Sequence, residues 1–359
     1  MKFLFCINTI NGGGAERVMV NLCAQFVQDG FEVVLLNSIA DPPVDYPVDP
    51  RVKRIVLMSD EEWNSNLVTR NITLLRRIKK ALVEERPDVA VSFMGEPNFR
   101  MLALRTNVPR IISIRNDPNK EYGGLRGRIT KMLFGRAKAI VCQTNDVVDW
   151  LPASLKDRAV VIMNQVNPKF FDVERGSGDY YVATGRLSVQ KNNPLMINAF
   201  HEFLQQYPDE HLRIYGEGGM KEELQSLIDR NGDTDNIHLM GYGSDMPAVL
   251  AHAKGFLLTS DYEGMPNGLL EALAAGVPSI STDCPCGGPK MVVQSGVNGI
   301  LVPVGDPAAV VKALVAIQSN PQYAEGLGAK AKESARRYAP DAIYQDWKKC
   351  IINIVGEHE

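Results

Sequence analysis

The chain has 359 residues, 45% of them hydrophobic and 23% charged, with a net charge of −3. Those values fit an ordinary globular protein long enough for two cores rather than one. No apolar run approaches the ~20 residues of a membrane-spanning helix, and the six cysteines lack any C-x-x-C pair, which favours reduced thiols over disulfides or zinc.

In the N-terminal half, strands are predicted at 3–8, 32–36, 54–57, 89–93, 110–114, 139–142 and 160–162, with helices between them, notably 15–29 and 68–85. Residues 1–8 are apolar but short and run straight into glycines, so they read as a first strand, not a signal peptide. The loop that follows, Gly12-Gly13-Gly14-Ala15-Glu16-Arg17, allows close backbone approach and offers helix-start amides to an anion. Residues 1–168 carry 23 Lys/Arg against 18 Asp/Glu, and 100–138 alone hold ten bases and two acids. Such clustering implies an anionic partner. Within it, Leu125, Ile129, Met132 and Leu133 follow helical spacing, while Arg126, Arg128, Lys131 and Arg136 fall elsewhere. The pattern fits a basic amphipathic helix on an anionic membrane, or a surface helix whose apolar side faces the core.

Residues 171–179, polar and glycine-bearing, are the expected linker. Beyond them 16 Lys/Arg face 24 Asp/Glu in 169–359, and strands are predicted at 180–183, 212–215, 237–239, 255–258, 279–281 and 299–302. Alternation of this kind throughout argues for an α/β protein with parallel sheets. The first of these strands leads into Gly185-Arg186-Leu187-Ser188-Val189-Gln190-Lys191, a close turn followed by two cations five residues apart. Gly216-Glu217-Gly218-Gly219 comes near a phosphate-binding turn but lacks the full dinucleotide fingerprint. The most informative stretch is 260–282, where Glu263 and Glu271 flank Gly264-Met265-Pro266-Asn267-Gly268. Pro266 suits a first helical position, so the amides of Asn267, Gly268 and Leu269 would point together out of a helix start. A nucleotide-sugar needs this set: amides for its diphosphate, one carboxylate for sugar hydroxyls, another for ribose. A last helix near 340–355 carries the apolar stripe Ile343, Trp347, Ile351.

The 260–282 stretch resembles the two-glutamate motif of retaining family-4 glycosyltransferases, and 185–191 resembles their G-R-L-x-x-x-K element. The resemblance implies the GT-B architecture, two doubly wound Rossmann-like domains with a ligand crevice between them at the carboxyl ends of the strands. It implies an acceptor-binding domain at 1–170, a donor-binding domain at 171–339, and a terminal helix, 340–359, crossing back to the first. Glu263 would hold sugar hydroxyls while Arg186 and Lys191 grip the leaving diphosphate, these three being the catalytic candidates. Glu271 would take the ribose, with Gly13, Gly14, Gly185, Gly216, Gly218, Tyr242, Gly264, Met265, Pro266, Asn267, Gly268 and Leu269 lining the donor site. Arg115, Asn116 and Asp117 stand where many relatives place a histidine against the donor sugar, and with Glu16 are candidates for sugar or acceptor binding.

All five histidines lie in the second half, so no N-terminal histidine is available as the base of an inverting enzyme; Asp117 is the alternative base. The resemblance implies retention without a metal, cations and helix dipoles neutralising the diphosphate of a UDP-sugar co-substrate, with no other cofactor. The Glu-Gly-Met-Pro-Asn wording is similar to the branch that builds bacterial surface polysaccharides and lipid-linked oligosaccharides. It implies a lipid-linked saccharide acceptor and a cytoplasmic enzyme peripheral at the inner face of the cell membrane. The rivals are a nucleotide-sugar 2-epimerase of the same architecture and, in another class, a nucleic-acid-binding protein using the basic half. No aromatic-interleaved basic stretch supports the latter.

Overall fold

The computed structural model describes residues 1–40, 45–243 and 245–356, except the side chain of Arg126. Its first sheet holds seven parallel strands: β1 (Lys2–Ile7), β2 (Glu32–Asn37), β3 (Lys53–Val56), β4 (Val89–Phe93), β5 (Arg110–Ile114), β6 (Ala139–Cys142) and β7 (Ala159–Val161). They lie in the order β3-β2-β1-β4-β5-β6-β7. Register sets Phe3 beside Val33 on one side and Val89 on the other. Central strands of this kind are covered by helices on both faces, hence the nearly unbroken apolar runs of β1 and β4. The order turns back between β1 and β4, where the two connections leave to opposite faces and open a crevice at the strand ends.

The first compact unit comprises Met1–Asn164 and the end of the chain from Ile343. Its core joins Phe3, Phe5, Phe26 and Phe93 to Ile343, Trp347 and Ile351 of the terminal helix Pro340–Gly356. Trp347 is fully buried with its ring 5.4 Å from that of Phe93. The Tyr344 hydroxyl donates to Asp29 at 2.6 Å, fixing the same helix to the end of Gly14–Gln28.

The second unit is Gln165–Ala342. Its six parallel strands are β8 (Tyr180–Thr184), β9 (Leu212–Tyr215), β10 (Ile237–Gly241), β11 (Ala253–Leu258), β12 (Ser279–Thr282) and β13 (Ile300–Val302). The order is β10-β9-β8-β11-β12-β13, with its reversal between β8 and β11. Tyr181, Phe200, Phe203, Ile214 and Leu257 anchor the core.

Two expectations need adjustment. The chain divides after Asn164, and the supposed linker 171–179 is part of the second unit. Arg175 there donates to the carbonyls of Leu250 and Ala253 at 2.6 Å each, and the Gly176 amide donates to Ala251 O at 2.8 Å. Glycine-bearing composition marks irregular backbone, but these bonds tie it down. Pro266 is the N-cap, not the first residue, of the helix Asn267–Ala274. All six cysteines are free and buried. Among the described residues no helix is long and apolar enough to cross a membrane.

Candidate active site

In the second unit the site is assembled from the turns that leave β8, β9 and β11. Residues 185–192 turn off β8 and are stitched to the loop after β11. The Asp261 amide donates to Gln190 O at 2.9 Å, Gln190 Nε2 donates to Tyr262 O at 2.9 Å, and Asn192 Nδ2 donates to Asp261 at 2.8 Å. The Thr259 hydroxyl bonds the Lys191 and Asn192 carbonyls. This lattice aims one side chain from each loop at the other: Lys191 Nζ lies 2.6 Å from Glu263 Oε1, and Ser260 Oγ donates to the same oxygen at 2.7 Å. Glu263 is 6% exposed, so its charge is satisfied within the protein by a cation and a hydroxyl. Two residues 72 apart in sequence thus form one charged unit.

Beyond Glu263 the chain enters the helix Asn267–Ala274. Pro266 has no side-chain cap to offer, and the first intrahelical bond runs from Leu270 N–H to Pro266 O at 3.2 Å. The amides of Asn267, Gly268 and Leu269 therefore precede the helical ladder and carry the positive end of its dipole. Glu271 is buried one turn further on, at 8% exposure, and Leu269 is fully buried as core. Gly264, Met265 and Pro266 are buried too. A Cβ on Gly288 would stand 1.6 Å from the Gly264 carbonyl oxygen, so only glycine lets the Gly288–Val292 helix press against this loop.

Gly216 follows β9 at φ +146, and a Cβ there would stand 1.9 Å from Gly185 O. Close passage of the two turns fixes Gly185, whose amide donates to Tyr215 O at 3.0 Å, and brings Gly218 beside Leu187. Arg186 is exposed just past β8. Tyr242, directly after β10, is 83% exposed. Asp-x-Asp spacing occurs once in the chain, at Asp233-Thr234-Asp235. There Asp233 is buried and held by His201 Nδ1 at 2.9 Å, and no cluster of three potential metal ligands exists among the described residues.

In the first unit, Gly13 is the N-cap of Gly14–Gln28 without a side-chain cap, and Glu16 lies in its first turn. Arg115 follows β5 and is 6% exposed, its guanidinium 4.6 Å from the Phe93 ring centre. It donates through Nη2 to Asn164 Oδ1, which also accepts Gln143 Nε2 at 2.7 Å. Burial pulls Arg115 down to about 9, opposed by the charge of Glu16. Asn116 is half-buried. Asp117 has a structural task, its carboxylate accepting the Asn119 amide at 2.8 Å to cap Pro118–Glu121. Glu121, overlooked in the sequence, accepts the Gly95 amide through Oε1, while its buried Oε2 has no hydrogen-bond partner. Burial pushes it up to about 7.

In the helix Gly124–Leu133 three of the four apolar residues do not face the core: Leu125 is 75% exposed, Ile129 45% and Met132 82%. Leu133 alone of the four is half-buried. Arg128 and Arg136 are exposed, and Lys131 Nζ lies 4.0 Å over the Trp150 ring. Arg136 also donates to Leu102 O at 3.0 Å. The side chain of Arg126 lies outside the described residues.

Against known proteins, residues 12–170 match the family model "Glycosyltransferase Family 4" and residues 178–320 match "Glycosyl transferases group 1". An exopolysaccharide phosphotransferase of Streptomyces coelicolor is 29% identical over 84% of this chain, which spans only 31% of that longer protein. A Campylobacter jejuni α-1,4-N-acetyl-D-galactosaminyltransferase, named for an undecaprenol-diphosphate-linked GalNAc-GalNAc-diNAcBac substrate, is 25% identical over 99% of both chains. Among solved structures, Anabaena HepE in complex with UDP-glucose superposes with a TM-score of 0.80 at 16% identity, covering 98% of this chain and 100% of its own. At that identity the likeness is one of fold, and the fold is GT-B.

Proposed function

The chain belongs to the family-4 glycosyltransferases, its two halves matching the two family models, and on that premise we propose that it moves a hexose or N-acetylhexosamine from a UDP-sugar to a lipid-linked saccharide in surface-polysaccharide assembly. The observation that carries the reading is the Lys191–Glu263–Ser260 cluster set ahead of the Asn267–Ala274 helix start, with Glu271 buried behind it. In this reading the helix-start amides, Arg186 and Lys191 receive the diphosphate. They stabilise it most as the bond from sugar C1 to the phosphate oxygen breaks and negative charge collects on UDP. Glu263, oriented by Ser260, accepts from sugar hydroxyls, and Glu271 accepts from the ribose.

The acceptor hydroxyl then bonds to C1 on the face that UDP leaves, and its proton passes to the departing phosphate oxygen. Configuration is retained, and no protein base or metal is required. The Campylobacter relative, named for an undecaprenol-linked substrate, supports a lipid-linked acceptor. The exposed Leu125, Ile129 and Met132 beside Arg128 and Lys131 support reversible attachment to an anionic membrane. Each cation near such a surface contributes about 1 kcal/mol.

The test is UDP release from a panel of UDP-sugars with and without an undecaprenol-diphosphate saccharide, followed by proton NMR of the product. Acceptor-dependent release and an α-linkage from an α-linked donor are expected. Sugar conversion without acceptor would point to an epimerase, and a β-linkage would refute retention. Co-sedimentation with anionic but not neutral vesicles, lost at high salt, tests the membrane part. Equal sedimentation with both, or no change on replacing Leu125 and Met132 by Ser, would remove it.

A further inference from the structure

β4 leaves its sheet through a strained turn. Met94 takes φ +77 and ψ 159, a conformation that residues with a side chain rarely adopt. The turn is pinned on both sides, the Met94 amide donating to Ser113 O at 3.2 Å and the Asn98 amide donating to Met94 O at 2.9 Å. Gly95 then opens the nine-residue helix Gly95–Ala103, its amide held by Glu121 Oε1. The strain sets the direction in which this helix leaves β4, and Glu96 lies in its first turn. Strain of this kind persists where the geometry it imposes is used.

The surroundings of Glu96 fix one carboxylate. Asn8 Nδ2 donates to its Oε2 at 3.3 Å, and Arg100 Nη2 donates to the same oxygen at 2.9 Å. Arg100 is 1% exposed, and its Nη1 and Nε donate to Asn8 Oδ1 at 2.8 Å and to Asn71 Oδ1 at 3.2 Å. Ser38 Oγ donates to Asn8 Oδ1 at 2.9 Å. Residues that follow β1 and β2, and one from the helix Leu67–Glu85, thus converge on Glu96 through a buried guanidinium. An ion pair that served only the helix would stay at its surface, because burying the cation costs desolvation that such a pair rarely returns. The Glu96 side chain itself is still 35% exposed. Asn8 and Glu96 stand at the carboxyl ends of β1 and β4, the two strands between which the order reverses and a ligand is expected.

We propose that Glu96 is a specificity-determining residue that accepts hydrogen bonds from hydroxyls of the terminal sugar of the saccharide acceptor, with Arg100 and Asn8 as the residues that position it. The inference rests on the transferase reading above and gives the first unit a recognition group for a neutral sugar. Asp117, by contrast, is occupied in capping Pro118–Glu121. A carboxylate takes short, charge-assisted bonds from hydroxyls. Held rigidly, it also tells epimers apart, since a hydroxyl of the wrong configuration leaves it desolvated and unbonded.

Steady-state transfer to two probes, undecaprenol-diphosphate-linked GlcNAc and its C4 epimer GalNAc, tests this on the full chain, with UDP calorimetry and thermal unfolding alongside. Glu96→Gln keeps the shape of the side chain. It should raise KM for the preferred probe by about tenfold or more and narrow the preference between the two, with UDP affinity held within about twofold. Arg100→Met leaves Glu96 present but unanchored, and its KM should fall between those of wild type and Glu96→Gln. The double variant Glu96→Gln/Arg100→Met removes both charges together, which keeps the test readable if the single variant fails to fold, and its KM should match that of Glu96→Gln. Acceptor KM and probe preference like wild type in Glu96→Gln or in the double variant overturn the assignment. A wild-type KM in Arg100→Met removes the positioning role. A lowered Tm with UDP affinity lost alongside makes Glu96 structural and also overturns the assignment. Wild-type protein that transfers to neither probe overturns the transferase reading on which the assignment stands.

Discussion

The two units are built on one plan and use charge in opposite ways. Each is a parallel sheet whose strand order reverses once, with loops and helix starts gathered at the carboxyl ends. In the second unit the buried charges there are matched inside the protein: Lys191 with Glu263, and Ser260 on the same oxygen. In the first unit Arg115 has two unbonded nitrogens and Glu121 an unbonded oxygen. A paired cluster holds its geometry before a ligand comes and is spared reorganisation during reaction. Unpaired groups cost stability and hold a preference for whatever completes them. Under the proposed function, the second unit would be a finished frame for a constant part of the chemistry.

Breaking the finished frame should have the largest effect. Lys191→Ala is expected to lower turnover at saturating donor by about 10²–10³-fold, the usual consequence of removing one preorganised charge from a leaving group. It also strands Glu263 at 8% side-chain exposure, so unfolding temperature should fall with it. Wild-type turnover in this variant, measured by UDP release, would show that the pair is only structural.

The first unit should reveal its shortage through pH. Glu121 sits against the Gly95 amide and beside the buried Tyr122, with burial raising it from the ordinary value of 4.5 to about 7. The folded chain therefore holds a proton that the unfolded chain releases. The stability this provides is complete below about pH 4.5 and is lost as pH rises through 7, about 1–3 kcal/mol in all. Denaturant unfolding of wild type and Glu121→Gln between pH 5 and 8 should show a flatter profile in the variant. Parallel profiles would mean that this carboxyl is better solvated than its surroundings indicate.

A smaller effect tests how tightly the frame is built. Gly216→Ala places a Cβ against Gly185 O at a φ of +146, so it should cost more than about 1 kcal/mol and weaken nucleotide binding together with stability. An alanine variant with unchanged Tm and UDP affinity would show that the turns leaving β8 and β9 can part without harm.

Much of this was readable in the residues. Unbroken apolar strands separated by helical spacing gave the α/β plan; Glu263 and Glu271 stood out through the glycine-bearing turn between them, and Arg186 and Lys191 through their resemblance to the family's G-R-L-x-x-x-K element. The contact between Lys191 and Glu263 was not readable, because it depends on loops tied through Thr259, Gln190 and Asn192, whose polar side chains look like any turn. Nor was the role of Ser260, although a hydroxyl three residues before a glutamate was there to be noticed. Leu125, Ile129 and Met132 have the spacing of a buried face and of an exposed one alike; only what is packed against them tells the two apart, and they are exposed. Arg115 was flagged by position, but a missing partner leaves no mark in a sequence.

The central claim is that the second unit is a preassembled nucleotide-diphosphate site with Glu271 on the ribose. Calorimetric titration of UDP into the full chain and into Glu271→Ala addresses it directly. Losing one charge-assisted hydrogen bond should weaken binding by about 1.5–3 kcal/mol, or roughly 10- to 150-fold, while wild type binds saturably at one site. Equal affinity in the two proteins, or no binding by wild type, would contradict the account.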